Sequence, residues 1–243
     1  MEKYEFIYKA LFFPEKEILA IGDLHIGYDY MLKQSGVLVP KRQVNDIIED
    51  LTKIFKKIES KKNKVKKIIF LGDIKHSFGY EFSERDELNE IMAFLKKKIP
   101  EEKNIIFIKG NHDTMDYTPK KNMKKSHLES GIFFTHGHES SLDIFDDEVE
   151  IVVSGHLHPS VALAEEKGAK REVFKCFLEG KSGSKNFIVL PSFLSFVEGT
   201  LINEYREDYV ESFSIIPKKD MMKFKVHIIG DDGVLDFGKV GDL

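Results

Sequence analysis

The feature that most constrains this chain is a series of five short apolar runs, each followed closely by a polar side chain able to bind a metal ion. The runs occupy residues 18–21, 68–71, 105–108, 132–134 and 151–153. Uninterrupted apolar runs of this length are typical of strands that are buried on both faces of a sheet. Because sites in open α/β sheets form beyond the carboxyl ends of strands, we expect the polar side chains to converge at one edge.

Between and after these runs, the pattern predicts helices and a second sheet. Pro40 marks a helix start, and apolar residues recur at helical spacing within 44–58 and again within 88–99. After Pro159 come short β-like segments at 161–164, 172–178, 187–190 and 209–216, with a turn predicted at 180–184. We therefore expect a single domain over residues 1–243, in which the part from about 160 to 243 completes a second sheet.

Composition limits the classes of function. The 243 residues carry a net charge of −4, so the overall charge does not indicate nucleic acid as a partner. Cys176 is the single cysteine, which excludes an intrachain disulfide and a cysteine-based zinc site. The amino-terminal segment is charged, and no apolar run approaches the roughly 20 residues needed to span a bilayer. We expect a cytoplasmic protein with no membrane partner, whose oligomeric state the sequence leaves open.

The polar side chains after the apolar runs form a set that suits divalent metal ions. In chain order they are Asp23, His25, Asp73, Asn111, His136, His156 and His158. A lone histidine after a strand is usually a core or loop residue, but seven of the nine histidines fall in these segments, which makes chance placement a poor explanation. Carboxylate, amide and imidazole ligands together favour Mn²⁺, Fe²⁺, Co²⁺, Ni²⁺ or Zn²⁺ over Mg²⁺ or Ca²⁺.

Seven ligand groups suffice for two ions if one carboxylate bridges them. Two divalent ions carry four positive charges, of which Asp23 and Asp73 cancel two. The remaining charge would bind a phosphate and lower the pKa of a bound water, giving hydroxide near neutral pH. The residues therefore predict a phosphate-ester substrate and two divalent ions, with Mn²⁺ as the expected ion.

The chain resembles the calcineurin-like metallophosphoesterase superfamily in five ordered motifs, which are GDLHIG (22–27), GDIKH (72–76), GNHD (110–113), THGH (135–138) and GHLH (155–158). The resemblance implies an α/β (α+β) fold, a four-layer sandwich of two packed mixed β-sheets flanked by helices. It also implies ligand roles by position: Asp23, His25, Asp73 and His158 hold one metal, Asp73 bridges, and Asn111, His136 and His156 complete the second.

The same resemblance implies catalytic roles near the ligands. His112 would protonate the leaving oxygen or stabilise the transition state, and Asp113 would help to orient it. Alternatively, both side chains only order their loop. His76 stands where many phosphatase-like members have an aspartate that pairs with the catalytic histidine. This arrangement is similar to that of the double-strand-break-repair nucleases and favours diesters, although His76 as a spacer behind the ligands fits equally well, and the role of His138 stays open.

Longer segments resemble the ICC-like phosphoesterase group, which includes the ligase-associated DNA-damage-response phosphoesterases. Among them are GHLHPSVAL, REVFKCFL and IVLPSFLSFVEGT. This resemblance implies manganese-supported hydrolysis of phosphodiesters. Two alternatives are a phosphomonoesterase that acts on nucleotides or proteins, and a scaffold that keeps the fold without catalysis. The scaffold is disfavoured because all seven ligands and His112 are present.

Overall fold

The structure is a computed structural model that describes residues 3–76, 82–113, 123–164, 171–195, 198–204 and 214–243. In these residues the strands form two sheets. Strand order in the first sheet follows the chain, with antiparallel pairing from β1 to β3 and parallel pairing from β3 to β6. Its strands are β1 (Glu5–Ile7), β2 (Ala10–Phe13), β3 (Ile18–Ile21), β4 (Lys67–Phe70), β5 (Ile105–Ile108) and β6 (Met123–Lys124).

The second sheet contains the remaining described strands. They are β7 (Ser126–Glu129), β8 (Ile132–Thr135), β9 (Ile151–Ser154), β10 (Pro159–Ala164), β11 (Arg171–Ser182), β12 (Lys185–Val189), β13 (Thr200–Leu201), β14 (Lys225–Gly230) and β15 (Gly233–Lys239). The order is β13-β10-β11-β12-β9-β8-β7, and β14 pairs with both β11 and β15. Strands β8, β9 and β12 run parallel to one another, so their carboxyl ends lie at one edge.

The described residues form four α-helices. They are α1 (Tyr28–Gln34), α2 (Gln43–Ser60), α3 (Phe82–Lys98) and α4 (Lys218–Met221). The apolar stripes of α2 and α3 pack on one face of the first sheet, where they meet Leu19, Ile21 and Ile68. Met221 of α4 packs on the outer face of the second sheet. None of the helices in the described residues is long and apolar enough to cross a membrane.

An inner cluster of apolar side chains fills the space between the two sheets. In β3, Ile18 and Ala20 face this inner cluster, whereas Leu19 and Ile21 face the helices. Across the interface, Phe134 of the second sheet joins the same cluster. Because both faces of the central strands are buried, their sequences are apolar without alternation. The predicted sandwich of two mixed sheets flanked by helices is confirmed.

The predicted elements differ from the structure in two places. The turn predicted at 180–184 is present at residues 183–184, but residues 180–182 belong to β11, where Gly180 lies under the Phe224 ring and a Cβ atom would come within 2.2 Å of it. Of the strand predicted at 209–216, residues 209–213 lie outside the described residues. Ser214–Ile216 is not a strand, because the Ile216 amide donates to the Ser214 hydroxyl at 3.1 Å. A single domain over the whole chain stays a prediction.

Candidate metal centre

The polar residues that follow β3, β4, β5, β8 and β9 meet at one edge of the two sheets. Three groups of side chains there have ligand atoms within 4.8 Å of one another. The groups are Asp23, His25 and His158; Asp73, His136 and His156; and His25, His76 and His112. The first two correspond to the two halves expected from the sequence.

The first cluster joins the loop after β3 to the loop after β9. His158 Nε2 lies 3.2 Å from Asp23 Oδ1 and 3.3 Å from His25 Nε2. The two imidazole nitrogens therefore face each other beside a carboxylate that is fully buried. Lone pairs that converge in this way suit a cation, which would replace their mutual repulsion with ligand bonds.

The second cluster draws on the loops after β4, β5, β8 and β9. His136 Nε2 lies 3.4 Å from Asp73 Oδ2, 3.0 Å from Asn111 Oδ1 and 3.1 Å from His156 Nδ1. His136 Nδ1–H donates to the backbone carbonyl of Leu71 at 2.8 Å, so Nε2 is the ring nitrogen that faces the other donors. The predicted ligand Asn111 therefore lies within this cluster.

Asp73 lies between the two clusters. Its Oδ2 atom is 3.4 Å from His136 Nε2 and 3.8 Å from His25 Nε2, one nitrogen from each side. Its Oδ1 atom accepts the backbone N–H of His112 at 2.8 Å, which orients the carboxylate. The residues thus fit two cations that share one carboxylate, because the donors form two sets and Asp73 reaches both.

Unusual backbone conformations bring these ligands together. Among the described non-glycine residues, eight have positive φ, and four of these are predicted ligands: His25 at 45°, Asp73 at 44°, His156 at 64° and His158 at 48°. Such conformations cost of order 1–3 kcal/mol each and cluster at functional sites. They turn the chain sharply at the strand ends, so that side chains from neighbouring loops point into one space.

Two glycines leave room for the carboxylates. A Cβ atom at Gly110 would lie 2.1 Å from Asp73 Oδ1, and one at Gly155 would lie 2.4 Å from Asp23 Oδ2. Any side chain at either position would displace a predicted ligand. The glycines of the GNHD and GHLH motifs therefore have a steric role.

Electrostatic interactions within the site are strong. Burial would raise the pKa of Asp23, but the imidazoles of His158 and His136 outweigh it and hold this pKa below its usual range. Burial would likewise lower the pKa of His136, but Asp23 and Asp73 together raise it to about 9. The buried carboxylates therefore attract positive charge strongly, which is the requirement for a cation site.

In contrast to His136, two other imidazoles of the site have lowered pKa values. Burial, followed by the proximity of His158, lowers the pKa of His25 to about 3. Burial and the nearby His136 lower the pKa of His156 to about 4. Both rings are neutral near pH 7, and a neutral imidazole is the form that binds a metal ion.

His112 stands beside the first cluster. Its ring centroid is 5.1 Å from that of His25, and its Nδ1–H donates to the backbone carbonyl of His76 at 2.7 Å. The His76 ring stacks on His112 with centroids 5.4 Å apart. Because Nδ1 carries the hydrogen that is bonded to this carbonyl, Nε2 points away from it and is the ring nitrogen that can take or give a proton.

Asp113 contacts backbone amides. Its carboxylate accepts N–H groups from Gly110 at 2.9 Å and from Ile74 at 3.1 Å, so it joins the loops after β4 and β5. Burial is the largest cause that raises its pKa, to about 6, and the nearby Asp73 adds to the shift. The His112 imidazole itself contacts the His76 carbonyl.

The loop after β12 forms hydrogen bonds to the backbone of Asp23 in the first cluster. The sequence did not predict these contacts. The Ser192 hydroxyl and the Phe193 N–H both donate to the backbone carbonyl of Asp23, at 3.2 and 2.9 Å. Two lysines hold this loop: Lys9 Nζ donates to the Phe193 carbonyl at 2.7 Å, and Lys175 Nζ donates to the carbonyls of Ser192 and Leu194. Lys175 lies in the segment REVFKCFL and the loop lies in IVLPSFLSFVEGT, but nothing in either sequence indicates these contacts.

Gln43 is a second support that the sequence did not reveal. Its side chain is buried, and its amide donates to the backbone carbonyls of Leu24 and His25 at 3.1 and 2.7 Å. Its Oε1 atom accepts the N–H of Tyr28 at 3.1 Å. The first residue of α2 therefore fixes the strained turn that carries His25.

The two sheets and the cluster of Asp, Asn and His at their common edge are those of a metallophosphoesterase. The chain belongs to the calcineurin-like phosphoesterase family, whose model matches residues 16–160. Members of this family are metal-dependent hydrolases of phosphate esters, and the Asp and His groups described above could hold the metal.

Three solved structures were compared with the chain, and the first supports the fold. Nuclease MPE from Pseudomonas putida superposes with a TM-score of 0.59 at 17% identity, covering 96% of this chain and 100% of that chain. A predicted phosphoesterase from Streptococcus pneumoniae gives a TM-score of 0.34 at 16% identity, covering 91% of this chain and 97% of that chain. Vps29 from Entamoeba histolytica in complex with zinc gives 0.37 at 14% identity, covering 90% and 96%. A comparison with curated proteins found no match.

Proposed function

We propose that this protein hydrolyses phosphodiester bonds at a centre of two divalent metal ions. One observation carries the proposal: a single carboxylate, that of Asp73, lies between two clusters of metal-binding side chains, 3.4 Å from His136 Nε2 and 3.8 Å from His25 Nε2. A site built for one ion needs no such shared ligand. Structural metal sites also use closed sets of ligands, whereas here His112 stands beside the clusters with a directed Nε2.

The ligands divide between the two ions. Asp23, His25 and His158 would hold one, Asn111, His136 and His156 would hold the other, and Asp73 would contact both. Mixed oxygen and nitrogen donors make Mn²⁺ the expected ion. When bound, the cations would supply the positive charge that attracts a phosphate and makes a water acidic enough to attack at neutral pH.

His112 is the proposed general acid. An alkoxide leaving group needs a proton as its bond to phosphorus breaks, and imidazole can supply one near neutral pH. The His76 carbonyl holds Nδ1–H of His112 at 2.7 Å, so the proton that is free to move is the one on Nε2. Asp113 would act on this step indirectly, since its bonds to the amides of Gly110 and Ile74 fix the loops that carry His112 and His76.

Two features favour diesters over monoesters. The His76 ring lies 5.5 Å from that of His25, in a GD-x-x-H arrangement that resembles the double-strand-break-repair nucleases, which act on diesters. The Pseudomonas putida protein of the same fold is named as a nuclease, which acts on diesters. A cytoplasmic location stays a prediction from the sequence.

The test compares hydrolysis of bis(p-nitrophenyl) phosphate with that of p-nitrophenyl phosphate. Chelator-treated protein should be inactive on both, and added Mn²⁺ should restore the diester rate most strongly. Mg²⁺ and Zn²⁺ serve as alternative ions, and Asp73→Ala serves as the negative control. A higher kcat/KM for the monoester would replace the proposal with a phosphomonoesterase, and full activity after exhaustive removal of metal would reject it.

A further inference from the structure

A pocket of about 410 Å³ opens at the opposite end of the second sheet from the candidate metal centre. Its walls include Ile151 and Asn186, which lie at the beginnings of β9 and β12, whereas the candidate ligands follow the carboxyl end of β9. A strand rises about 3.3 Å per residue, so the length of β9 separates the pocket from the metal ligands by roughly 10 Å or more. None of the roles assigned above uses this pocket.

Five lysines from separate parts of the chain line the pocket. They are Lys3, Lys181, Lys223, Lys225 and Lys239, and all five are exposed. Among the described lining residues they stand against one carboxylate, that of Glu179. Glu179 accepts the Tyr4 hydroxyl at 2.8 Å, and its other oxygen lies 2.8 Å from His227 Nε2. The lining of the pocket is therefore strongly cationic, even with Glu179 counted as fully charged.

Three carboxylates just outside the lining offset part of this charge. Glu150 lies 2.7 Å from Lys3 Nζ, Asp220 lies 3.6 Å from Lys223 Nζ, and Asp236 lies 3.7 Å from Lys225 Nζ. Together with Glu179 they still leave an excess of one positive charge among these side chains. The three paired lysines are more than half exposed, and exposed ion pairs contribute little to stability, so a ligand can replace them.

The remaining two lysines, Lys181 and Lys239, form no ion pair with a residue that the structure describes. Lys239 also lies directly opposite Lys225 in the antiparallel pairing of β14 with β15. Like charges directly opposite each other across two strands are destabilising. An anion bound between these strands would reduce this repulsion, which gives the pocket a reason to prefer an anionic ligand.

The size and the walls of the pocket limit the class of anion. Its volume falls within the range of about 300–1,000 Å³ that is usual for small-ligand sites. Lysine ammonium groups bind phosphate oxygens as compact point charges, and several of them around one small space suit a ligand with several negative charges. Phe187 lines the pocket but is only 4% exposed, so recognition depends on charge more than on stacking.

We propose that this pocket binds a chain of two or three phosphoryl groups, with Lys181 and Lys239 contacting the phosphoryl oxygens. Such a chain occurs as a free inorganic oligophosphate and as the tail of a nucleoside diphosphate or triphosphate. The proposal is independent of the phosphodiesterase function, because the lysines that carry it lie outside the candidate metal centre.

The experiment measures binding at the pocket without contributions from metal ions. Full-length protein, freed of metal ions and of chelator, is titrated calorimetrically with tripolyphosphate, with ATP, with inorganic phosphate and with sulfate at constant ionic strength. The variant Lys181→Ala/Lys239→Ala is compared with Lys56→Ala/Lys97→Ala, which removes two exposed lysines from α2 and α3 and so makes the same change in net charge. Hydrolysis of bis(p-nitrophenyl) phosphate by the manganese-loaded proteins is measured in parallel.

Wild-type protein should bind one tripolyphosphate per chain, at least about tenfold more tightly than inorganic phosphate, because a single phosphoryl group reaches fewer lysines. The pocket variant should weaken this binding by about tenfold or more, since each lost hydrogen bond to a charged group contributes up to about that factor. The control variant should bind as the wild type does, and diester hydrolysis should be the same in all three proteins.

The ATP titration distinguishes the two sources of the ligand. ATP that binds at least as tightly as tripolyphosphate would assign the pocket to a nucleoside phosphate, whereas much weaker binding would assign it to an inorganic oligophosphate. Unchanged affinity in the pocket variant, or tripolyphosphate and ATP that bind no better than sulfate, would overturn the proposal. A wild-type protein that hydrolyses no diester would reject the phosphodiesterase function and leave these binding results to decide the pocket on their own.

Discussion

The Nδ1–H of His112 donates to the backbone carbonyl of His76 at 2.7 Å. The orientation of the candidate general acid therefore depends on the main chain after β4. The imidazole of His76 is a separate group from this carbonyl, and it stacks on the His112 ring with centroids 5.4 Å apart. This difference leads to two separate predictions for the two histidines.

Replacing His112 should impair the chemical step and spare the metal. We expect His112→Ala to lower kcat by about 10²–10⁴-fold on a diester with an alkoxide leaving group, and by much less on a nitrophenyl ester, whose leaving group needs no proton. Metal content measured by plasma mass spectrometry should match the wild type. Equal losses on good and poor leaving groups would exclude a general acid and favour electrostatic stabilisation, and loss of metal would make His112 a ligand.

Replacing His76 should have a smaller effect. His76→Ala retains the backbone carbonyl that orients His112, so we expect kcat to fall by about tenfold or less, without a trend in leaving-group pKa. The measurement is a series of aryl and alkyl diesters with the two single variants and the double variant. A leaving-group trend that matches that of His112→Ala would instead make the His76 imidazole a partner in proton transfer.

Metal stoichiometry should reveal the division of the ligands. His158 lies in the first cluster and His156 in the second, whereas Asp73 faces both. We therefore expect roughly two ions per chain in the wild type, one each in His158→Ala and His156→Ala, and none in Asp73→Ala. Native mass spectrometry of manganese-loaded protein counts the ions. Two ions retained by Asp73→Ala would rule out a shared carboxylate.

A single methyl group at Gly110 should disturb the same carboxylate. The Cβ atom of Gly110→Ala would lie 2.1 Å from Asp73 Oδ1, whereas the Cβ atom of Gly230→Ala would meet nothing closer than 3.6 Å. We expect the first variant to lose about 10–100-fold in manganese affinity, the usual effect of disturbing the support of a metal ligand, and the second to be neutral. Isothermal titration with Mn²⁺ measures both. Wild-type affinity in Gly110→Ala would show that Asp73 moves without cost.

The buried amine of Lys175 should make stability depend on pH. Burial, followed by the nearby Lys9, lowers its pKa from 10.5 to about 7. Between these values the unfolded chain holds a proton that the folded protein has released, so the free energy of unfolding rises with pH, by up to about 1.4 kcal/mol per pH unit. Below about pH 7 both states are protonated and this contribution is constant.

The variant Lys175→Met should remove that rise, because methionine has no proton to release. Lys181→Met, an exposed position in the same strand, is the matched control and should keep the wild-type slope. Urea unfolding at several pH values between 7 and 10 measures the difference between each variant and the wild type. Identical slopes for all three proteins would mean that Lys175 keeps its charge in the folded state.

The fold was largely predictable from the sequence because its central strands are buried on both faces. Burial of this kind demands unbroken apolar runs, and those runs mark β3, β4, β5, β8 and β9 directly. The sequence patterns of strands such as β14 and β15 are weaker, since β15 is largely exposed and its apolar and polar residues alternate less clearly. The turn expected at 180–184 is present only at 183–184, because Gly180 was interpreted as a loop residue, whereas it lies in β11 and admits the Phe224 ring.

The candidate ligands were predictable for a similar reason, since each follows such a run by two to five residues. Contacts made by backbone atoms were not predictable. The carbonyl of His76 and the loop at Ser192 act through groups that every residue has, so no residue type identifies them. Lys9 and Lys175 were equally hidden, because lysine is abundant in this chain and a buried lysine has the same letter as an exposed one.

The loop that contains Ser192 and Phe193 lies beyond the family-matched residues 16–160, yet it holds the backbone of Asp23, which precedes Ser192 by 169 positions. During synthesis, every ligand from Asp23 to His158 leaves the ribosome before this loop does. Chains arrested at residue 185 and released should therefore bind Mn²⁺ more weakly than full-length chains, and equal affinities would contradict this. The candidate metal centre is therefore completed late in translation. A nascent chain that already contains all the family-matched residues still lacks the contacts that hold Asp23, its first candidate ligand.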